Sequence, residues 1–247
     1  MKIMDRDIEV MSWISEQKFM TVDQVRKVFW KDSEGGRKAA YLRLLDLQKA
    51  GYLKRSRECI YRNVLYVVAG KGVRLLRAFG RGYGLKELYD VDYSGYKHDV
   101  VVTDLRILFH GWGFTDWASE RALEQVKVFQ RIADGLIYYK GRSFAIEFES
   151  AQKSKDRYKD IFLHYELDSR VDEVIYVVET PGLVAKLCDM ARNYDKLHFV
   201  ALDDLLKDQL KATYKGPVVI NTNDGQDSDG GVLWDIFSKP KQVGELV

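Results

Sequence analysis

Apolar and polar positions alternate along this chain with two different periods, and the changes of period mark its elements. In residues 4–17, Ile8, Met11 and Ile14 recur at near-helical spacing. Thr21 and Gln24 match the pattern in which a Ser or Thr side chain and a Glu or Gln three residues later each accept the other's backbone N–H. A second helix is therefore expected to open there and run to about Trp30. A third helix spans 34–50. Ala40, Leu44 and Leu47 form one stripe of it, Lys38, Asp46 and Lys49 lie opposite, and Gly51 stands where a helix ends. Two short strand-like runs follow, 52–57 and 64–68, joined by a basic segment. Gly70-Lys71-Gly72 then breaks the pattern before a fourth helix carrying Val73, Leu75 and Leu76.

Residues 79–96 read as a hinge rich in glycine. No strand precedes these glycines, and no Gly-x-x-x-x-Gly-Lys-Ser/Thr occurs anywhere, so they are not a nucleotide loop. Beyond them the periods predict a helix over 98–111 (Val101, Leu105, Leu108), a strand at 114–118 and a brief helical piece after Glu120. Two alternating strands follow at 131–139 and 142–150. A helix over 154–168 then carries Tyr158, Ile161, Phe162 and Tyr165 on one face. The continuous apolar run 174–178 suits a strand buried on both faces. A helix from Pro181, a strand at 197–202 and a helix at 203–212 complete an α/β sandwich with a mixed central sheet.

The expected division is a helical domain over 1–80, a linker over 81–96, the α/β domain over 97–215 and a flexible tail over 216–247. The tail's acidic stretch 224–231 resembles a calcium loop only superficially. Aligning its glycine puts Gly225 and Ile236 at the first and twelfth ligand positions, where neither can serve. Its apolar segment, Val232 to Phe237, suits docking on the core or on a second copy of the chain.

Composition narrows the class. Of 247 residues 46% are hydrophobic and three are proline, so the chain has the means to build a core and is not a disordered one. No stretch approaches about 18 uncharged apolar residues, and the N-terminus lacks an apolar signal core. A soluble, cytoplasmic protein with no membrane partner is expected. Two cysteines, Cys59 and Cys188, cannot build a disulfide framework or a four-thiolate zinc site. Residues 1–86 hold 19 Lys and Arg against 9 Asp and Glu, while residues 87–247 hold 20 against 28. The N-terminal block is thus the candidate for a polyanion partner.

Helix, helix, helix, hairpin, helix resembles the winged helix-turn-helix. Leu44-Leu45-Asp46-Leu47, Gly51-Tyr52-Leu53, Leu65-Tyr66 and Lys71-Gly72-Val73-Arg74-Leu75-Leu76 carry the resemblance. It implies double-stranded DNA as a partner. Arg37, Lys38, Tyr41 and Arg43 would meet base edges from the third helix, and Lys54, Arg55, Arg57 and Arg62 would place the wing on phosphates. Winged helices also serve as protein–protein modules, and that alternative stays open.

The chemistry of the acidic block lies in residues 131–150. If Lys140-Gly141 is a two-residue turn, Tyr139 faces Arg142 and Asp134 lies opposite Glu147, with Glu149 on the same face. Ala133, Ile137, Phe144, Ile146 and Phe148 collect on the other face. Like charges directly opposite are destabilising. A bound cation, a nearby Lys or Arg, or a raised carboxyl pKa must offset them. Magnesium or manganese is one answer, and such an ion would activate water at a phosphodiester. A solvated acidic face is the other reading.

Asp134 before one strand and Glu147-Phe148-Glu149 in the next resemble the PD-(D/E)xK nuclease fold. Ala133 stands where that family has proline, and Glu149 where it has lysine. The resemblance implies a Mg²⁺ or Mn²⁺ site from Asp134, Glu147 and Glu149, with Lys153 as a substitute helper. The whole chain is similar to the replication-relaxation family of plasmid and mobile-element proteins. His98-Asp99, Asp104, Trp117-Ala118-Ser119-Glu120, Ala133-Asp134-Gly135 and residues 144–149 carry that similarity, with Tyr158 to Tyr165 adding to it. It implies a DNA-binding protein of replication or mobilisation, with replication or conjugation proteins as partners and Glu120 as a further acid of the metal site. A metal-dependent endonuclease and a transcriptional regulator are the alternatives.

Overall fold

The computed structural model describes residues 1–56, 64–82, 84–219 and 228–239. Arg57, Arg62, Cys59 and residues 224–227 of the acidic stretch lie outside the described residues. The described chain divides into two compact units. One holds Met1–Gly113 and Ser119–Lys127, the other Phe114–Ala118 and Val128–Val247.

The first unit begins with α1 (Asp5–Glu16), a short strand β1 (Met20–Thr21), α2 (Val22–Phe29) and α3 (Glu34–Lys49). β2 (Leu53–Ser56), β3 (Leu65–Val68) and α4 (Gly70–Ala78) follow. The expected cap of α2 is present: Gln24 N donates to Thr21 Oγ1 at 3.2 Å and Thr21 N to Gln24 Oε1 at 3.0 Å. The apolar stripes meet in one core that includes Ile8, Met11, Ile14, Val25, Leu44, Leu47, Leu53, Tyr66, Val68, Val73 and Leu76. The strands form an antiparallel sheet in the order β1-β3-β2, with Thr21 opposite Leu65 and Leu53 opposite Val68.

Residues 81–113 correct the expected division. They are neither a linker nor the start of the second domain, because their apolar side chains bury within the first unit. Val91 and Tyr96 pack on Phe19, Leu65 and Val67, and the rings of Phe19 and Tyr96 stack at 5.8 Å. Helix α5 (Tyr96–Gly111) buries Val102, Leu105 and Phe109 rather than Val101 and Leu108. Its Arg106 guanidinium lies 4.0 Å over the Trp13 ring and pairs with Glu16 at 2.8 Å. Counted by units, the first carries 23 basic against 16 acidic residues, so it remains the basic one.

Between the units' segments run β4 (Trp117–Ser119) and α6 (Glu120–Val126), the latter part of the first unit. The second unit continues with β5 (Gly135–Tyr139), β6 (Arg142–Glu149), α7 (Lys155–Leu167), β7 (Glu173–Val178), α8 (Pro181–Met190) and β8 (Leu197–Ala201). It ends with α9 (Leu202–Asp208), β9 (Thr213–Val219), β10 (Ser228–Val232) and α10 (Leu233–Ser238). The seven strands form a mixed sheet in the order β10-β9-β8-β7-β6-β5-β4. β6, β7 and β8 are parallel, while β5 on one side and β9 and β10 on the other are antiparallel to their neighbours. The fold is therefore mixed α/β with a mixed central sheet.

The described part of the expected tail is ordered into this sheet, a second correction. β9 and β10 extend the sheet edge, and α10 buries Leu233, Ile236 and Phe237. The Phe237 ring sits 4.4 Å from that of Phe114 and 4.6 Å from that of Phe144. Arg142 donates to the carbonyls of Ile236 at 2.8 Å and Lys239 at 3.2 Å, satisfying the end of α10. Apolar content so near the C-terminus is buried because it covers one face of β6.

Candidate functional site

The β5–β6 hairpin positions the acids. Lys140 and Gly141 both have positive φ, 49° and 75°, as a type I′ two-residue turn requires. Tyr139 pairs with Arg142 and Gly135 with Ile146, the register expected from the sequence. The ladder stops at Gly135 instead of reaching residue 131. Asp134 just precedes it, and its Oδ2, in place of a ladder carbonyl, accepts the Phe148 N–H at 2.8 Å. Gly135 permits this entry, because a Cβ there would lie 2.0 Å from Trp117 Cζ2.

All eight residues of β6 are buried, so the acidic face is not a solvated strand face. Glu147 is 6% exposed and Glu149 is 5% exposed. Glu147 is paired with Tyr176 across the parallel β6–β7 ladder, and α7 supplies Tyr165. Glu147 Oε1 accepts from the Tyr165 hydroxyl and from Arg131 Nε at 3.2 Å, and Arg131 Nη2 pairs with the same oxygen at 3.1 Å. Burial, and next the charge of Asp134, push the Glu147 carboxyl up from 4.5 to about 7, against the opposing pull of Arg131, Tyr165 and Lys153. The Arg131 guanidinium is itself raised: burial acts against its charge, and Glu147 with Tyr165 and Tyr176 outweighs that. Glu149 Oε2 accepts from Lys153 Nζ, which reaches back from beyond the strand's end. The structure thus brings Asp134, Glu147, Glu149 and Lys153 into one neighbourhood.

These partners test whether a divalent ion fits. Each of the three acids already has one oxygen hydrogen-bonded to a protein donor, and two of those donors are cations. Among the described residues, no group of three or more His, Cys, Asp or Glu side chains is arranged to hold a metal ion. As arranged, then, the acids are not a ligand set. Of the three ways to offset facing carboxylates, this site uses basic side chains and a raised pKa. Glu120 is engaged within the first unit, where Lys18 Nζ bridges its Oε2 and Asp99 Oδ1, each at 2.9 Å.

Sequence reasoning missed Arg131, Tyr165 and Tyr176. Tyr165 and Tyr176 lay in apolar patterns and read as core. The available signal was the hydroxyl, since a buried tyrosine normally needs a partner. Among the described residues Tyr176 lacks one: its buried hydroxyl has no hydrogen-bond partner there.

In the first unit, Arg37, Lys38 and Tyr41 are exposed on the N-terminal half of α3. With Thr21, Val22, Asp23, Glu34 and Val64 they line a groove of about 400 Å³. Arg43 points elsewhere. It grips the buried carboxylate of Asp7 through Nε at 2.8 Å and through Nη2, and donates to the Lys2 carbonyl at 2.9 Å. Lys54 is paired with Glu87, and Arg55 is exposed on β2.

Fold and charge define a mixed α/β protein of two units, one basic and one acidic. The chain belongs to the replication-relaxation family, whose model matches residues 11–167, from within α1 to the last residue of α7. Membership suggests a role in the replication or mobilisation of a plasmid or mobile element. No curated protein matches the chain. No helix among the described residues is long and apolar enough to cross a membrane.

Proposed function

We propose that the chain binds double-stranded DNA through its first unit, acting as a winged helix-turn-helix, in plasmid or mobile-element replication or mobilisation. The observation that carries this reading is the groove beside α3, where Arg37, Lys38 and Tyr41 stand exposed on the half of the helix that enters a major groove in such modules. The element order α1-β1-α2-α3-β2-β3-α4, with a three-stranded antiparallel sheet, supports it, as does the excess of basic residues. Lys54 and Arg55 on β2, with Arg57 and Arg62 beyond it, supply phosphate contacts. Arg43 is omitted, because its fork is committed to Asp7. Replication or conjugation proteins and a second copy of the chain remain the proposed protein partners.

In this reading the second unit is a nuclease-like scaffold in which Arg131 and Lys153 carry the positive charge that a divalent ion would supply. The alternative is a magnesium- or manganese-dependent endonuclease centred on Asp134, Glu147 and Glu149. The buried Tyr176 hydroxyl, which has no hydrogen-bond partner among the described residues and stands beside Glu147, is the observation that favours it. In that case the acids must exchange their present partners.

Two assays on the full chain decide. Arg37→Ala with Lys38→Ala is expected to weaken duplex binding in a mobility shift. Unchanged binding overturns the DNA reading. Supercoiled plasmid with Mg²⁺ or Mn²⁺ is expected to stay intact; nicking that vanishes in Glu147→Ala would establish the enzyme instead.

A further inference from the structure

Helices α2 and α3 meet at an ion pair that opens onto the groove. Asp23, the second residue of α2, and Arg37, the fourth of α3, are joined by Arg37 Nε to Asp23 Oδ1 at 2.8 Å and by Nη2 to Oδ2 at 3.5 Å. The carboxylate therefore lies along the Nε edge of the guanidinium. Nη1 and the outward N–H of Nη2 make no hydrogen bond among the described residues, and the side chain is 54% exposed. Arg26 Nε stands 3.9 Å from the same Oδ1, steadying the carboxylate from its own helix.

Stability does not account for this arrangement, since an exposed, solvent-screened ion pair contributes little to folding. Its effect is to fix the direction of a long side chain that would otherwise sample many rotamers. The charge pattern selects the partner. Asp23 and Glu34 line the same groove, so a phosphate approaching Arg37 would meet carboxylates as well. An uncharged base edge with two acceptors meets no such opposition. Guanine presents O6 and N7 side by side in the major groove, a spacing that the two terminal N–H groups of arginine match.

We infer that Arg37 reads a guanine in the major groove, Nη1 and Nη2 donating to O6 and N7, with Asp23 as the positioning residue that holds the guanidinium for it. This rests on the reading that the first unit binds duplex DNA through α3.

The test uses the full chain. Preferred duplexes are selected from a randomised pool. Binding of the recovered site is then measured by fluorescence anisotropy over a salt series, with the site carrying guanine or 7-deazaguanine, which lacks the N7 acceptor. Wild type is expected to lose about tenfold or more in affinity when one guanine is replaced. Arg37→Ala is expected to be indifferent to that replacement and to keep its salt slope. Asp23→Asn is expected to lose the preference for guanine while binding random duplex at least as tightly, since it removes a negative charge. A change that alters specific and random binding equally, guanine preference retained in Asp23→Asn, or wild type blind to 7-deazaguanine at every position overturns the inference and leaves DNA binding standing. No duplex binding by wild type overturns the underlying reading instead. The 7-deazaguanine arm needs no variant, so it decides even where a substitution impairs folding.

Discussion

Arg131 turns both Nε and Nη2 toward a single oxygen, Oε1 of Glu147, at 3.2 and 3.1 Å. The pair joins the segment before β5 to strand β6. It neutralises the acid that the hairpin register would otherwise leave facing Asp134, and its removal should be felt as an uncompensated buried charge.

Arg131→Leu should therefore lower unfolding stability at pH 8 by about 1–3 kcal/mol. This is less than the loss for a fully buried pair, because 28% of the Arg131 side chain is exposed. Adding Glu147→Gln should recover most of that loss. Urea unfolding of the single and double variants measures the coupling, and strictly additive losses would contradict it.

The Glu147 carboxyl predicts a pH dependence. Its folded pKa, about 7, lies above the ordinary 4.5, so the native state holds this proton more tightly than the unfolded chain does. The resulting stabilisation is fully present below about 4.5 and is lost as pH rises to about 7. Melting temperatures taken between pH 5 and 8 should fall more steeply for wild type than for Glu147→Gln. Parallel curves would rule the effect out.

Arg43 should act on stability rather than on DNA. Asp7 is fully buried, and Arg43→Ala strips it of its cation. A loss of about 3 kcal/mol is expected in denaturant unfolding. The folded variant should bind duplex DNA like wild type in a mobility shift, and weakened binding by a fully folded variant would return Arg43 to the interface.

Phe237 tests the ordering of the C-terminal segment. Its ring is 1% exposed and packs between Phe114 and Phe144, so Phe237→Ala should cost about 3–5 kcal/mol. A segment that was merely a flexible tail would tolerate the change, leaving the denaturation midpoint where it was.

The parts of the fold that depend on near neighbours were legible in the sequence. Thr21 and Gln24 cap α2 because a capping box closes within four residues. The stripes Ala40, Leu44, Leu47 and Tyr158, Ile161, Phe162, Tyr165 are the buried faces of their helices. Parts whose outcome depends on distant segments were not. Helix α5 carries apolar residues on several faces, and packing within the first unit, with Arg106 over Trp13, selected Val102 and Phe109 over Val101 and Leu108. Glycines at 80–84 suggested a hinge, yet the apolar residues after them bury on the first sheet.

Given a two-residue turn at Lys140-Gly141, the sequence admits one register, and strand periodicity then sets Asp134, Glu147 and Glu149 on one face; a longer turn would have shifted it by one. Tertiary structure decided what those acids became. β7, beside β6 in the sheet, and α7 bring Tyr176 and Tyr165 to Glu147, while Arg131 and Lys153 take up the carboxylates of Glu147 and Glu149. A strand's own residues specify which side its charges face, but the dielectric and the partners on that side come from other segments, from Lys153 just past the strand to Tyr176 in β7.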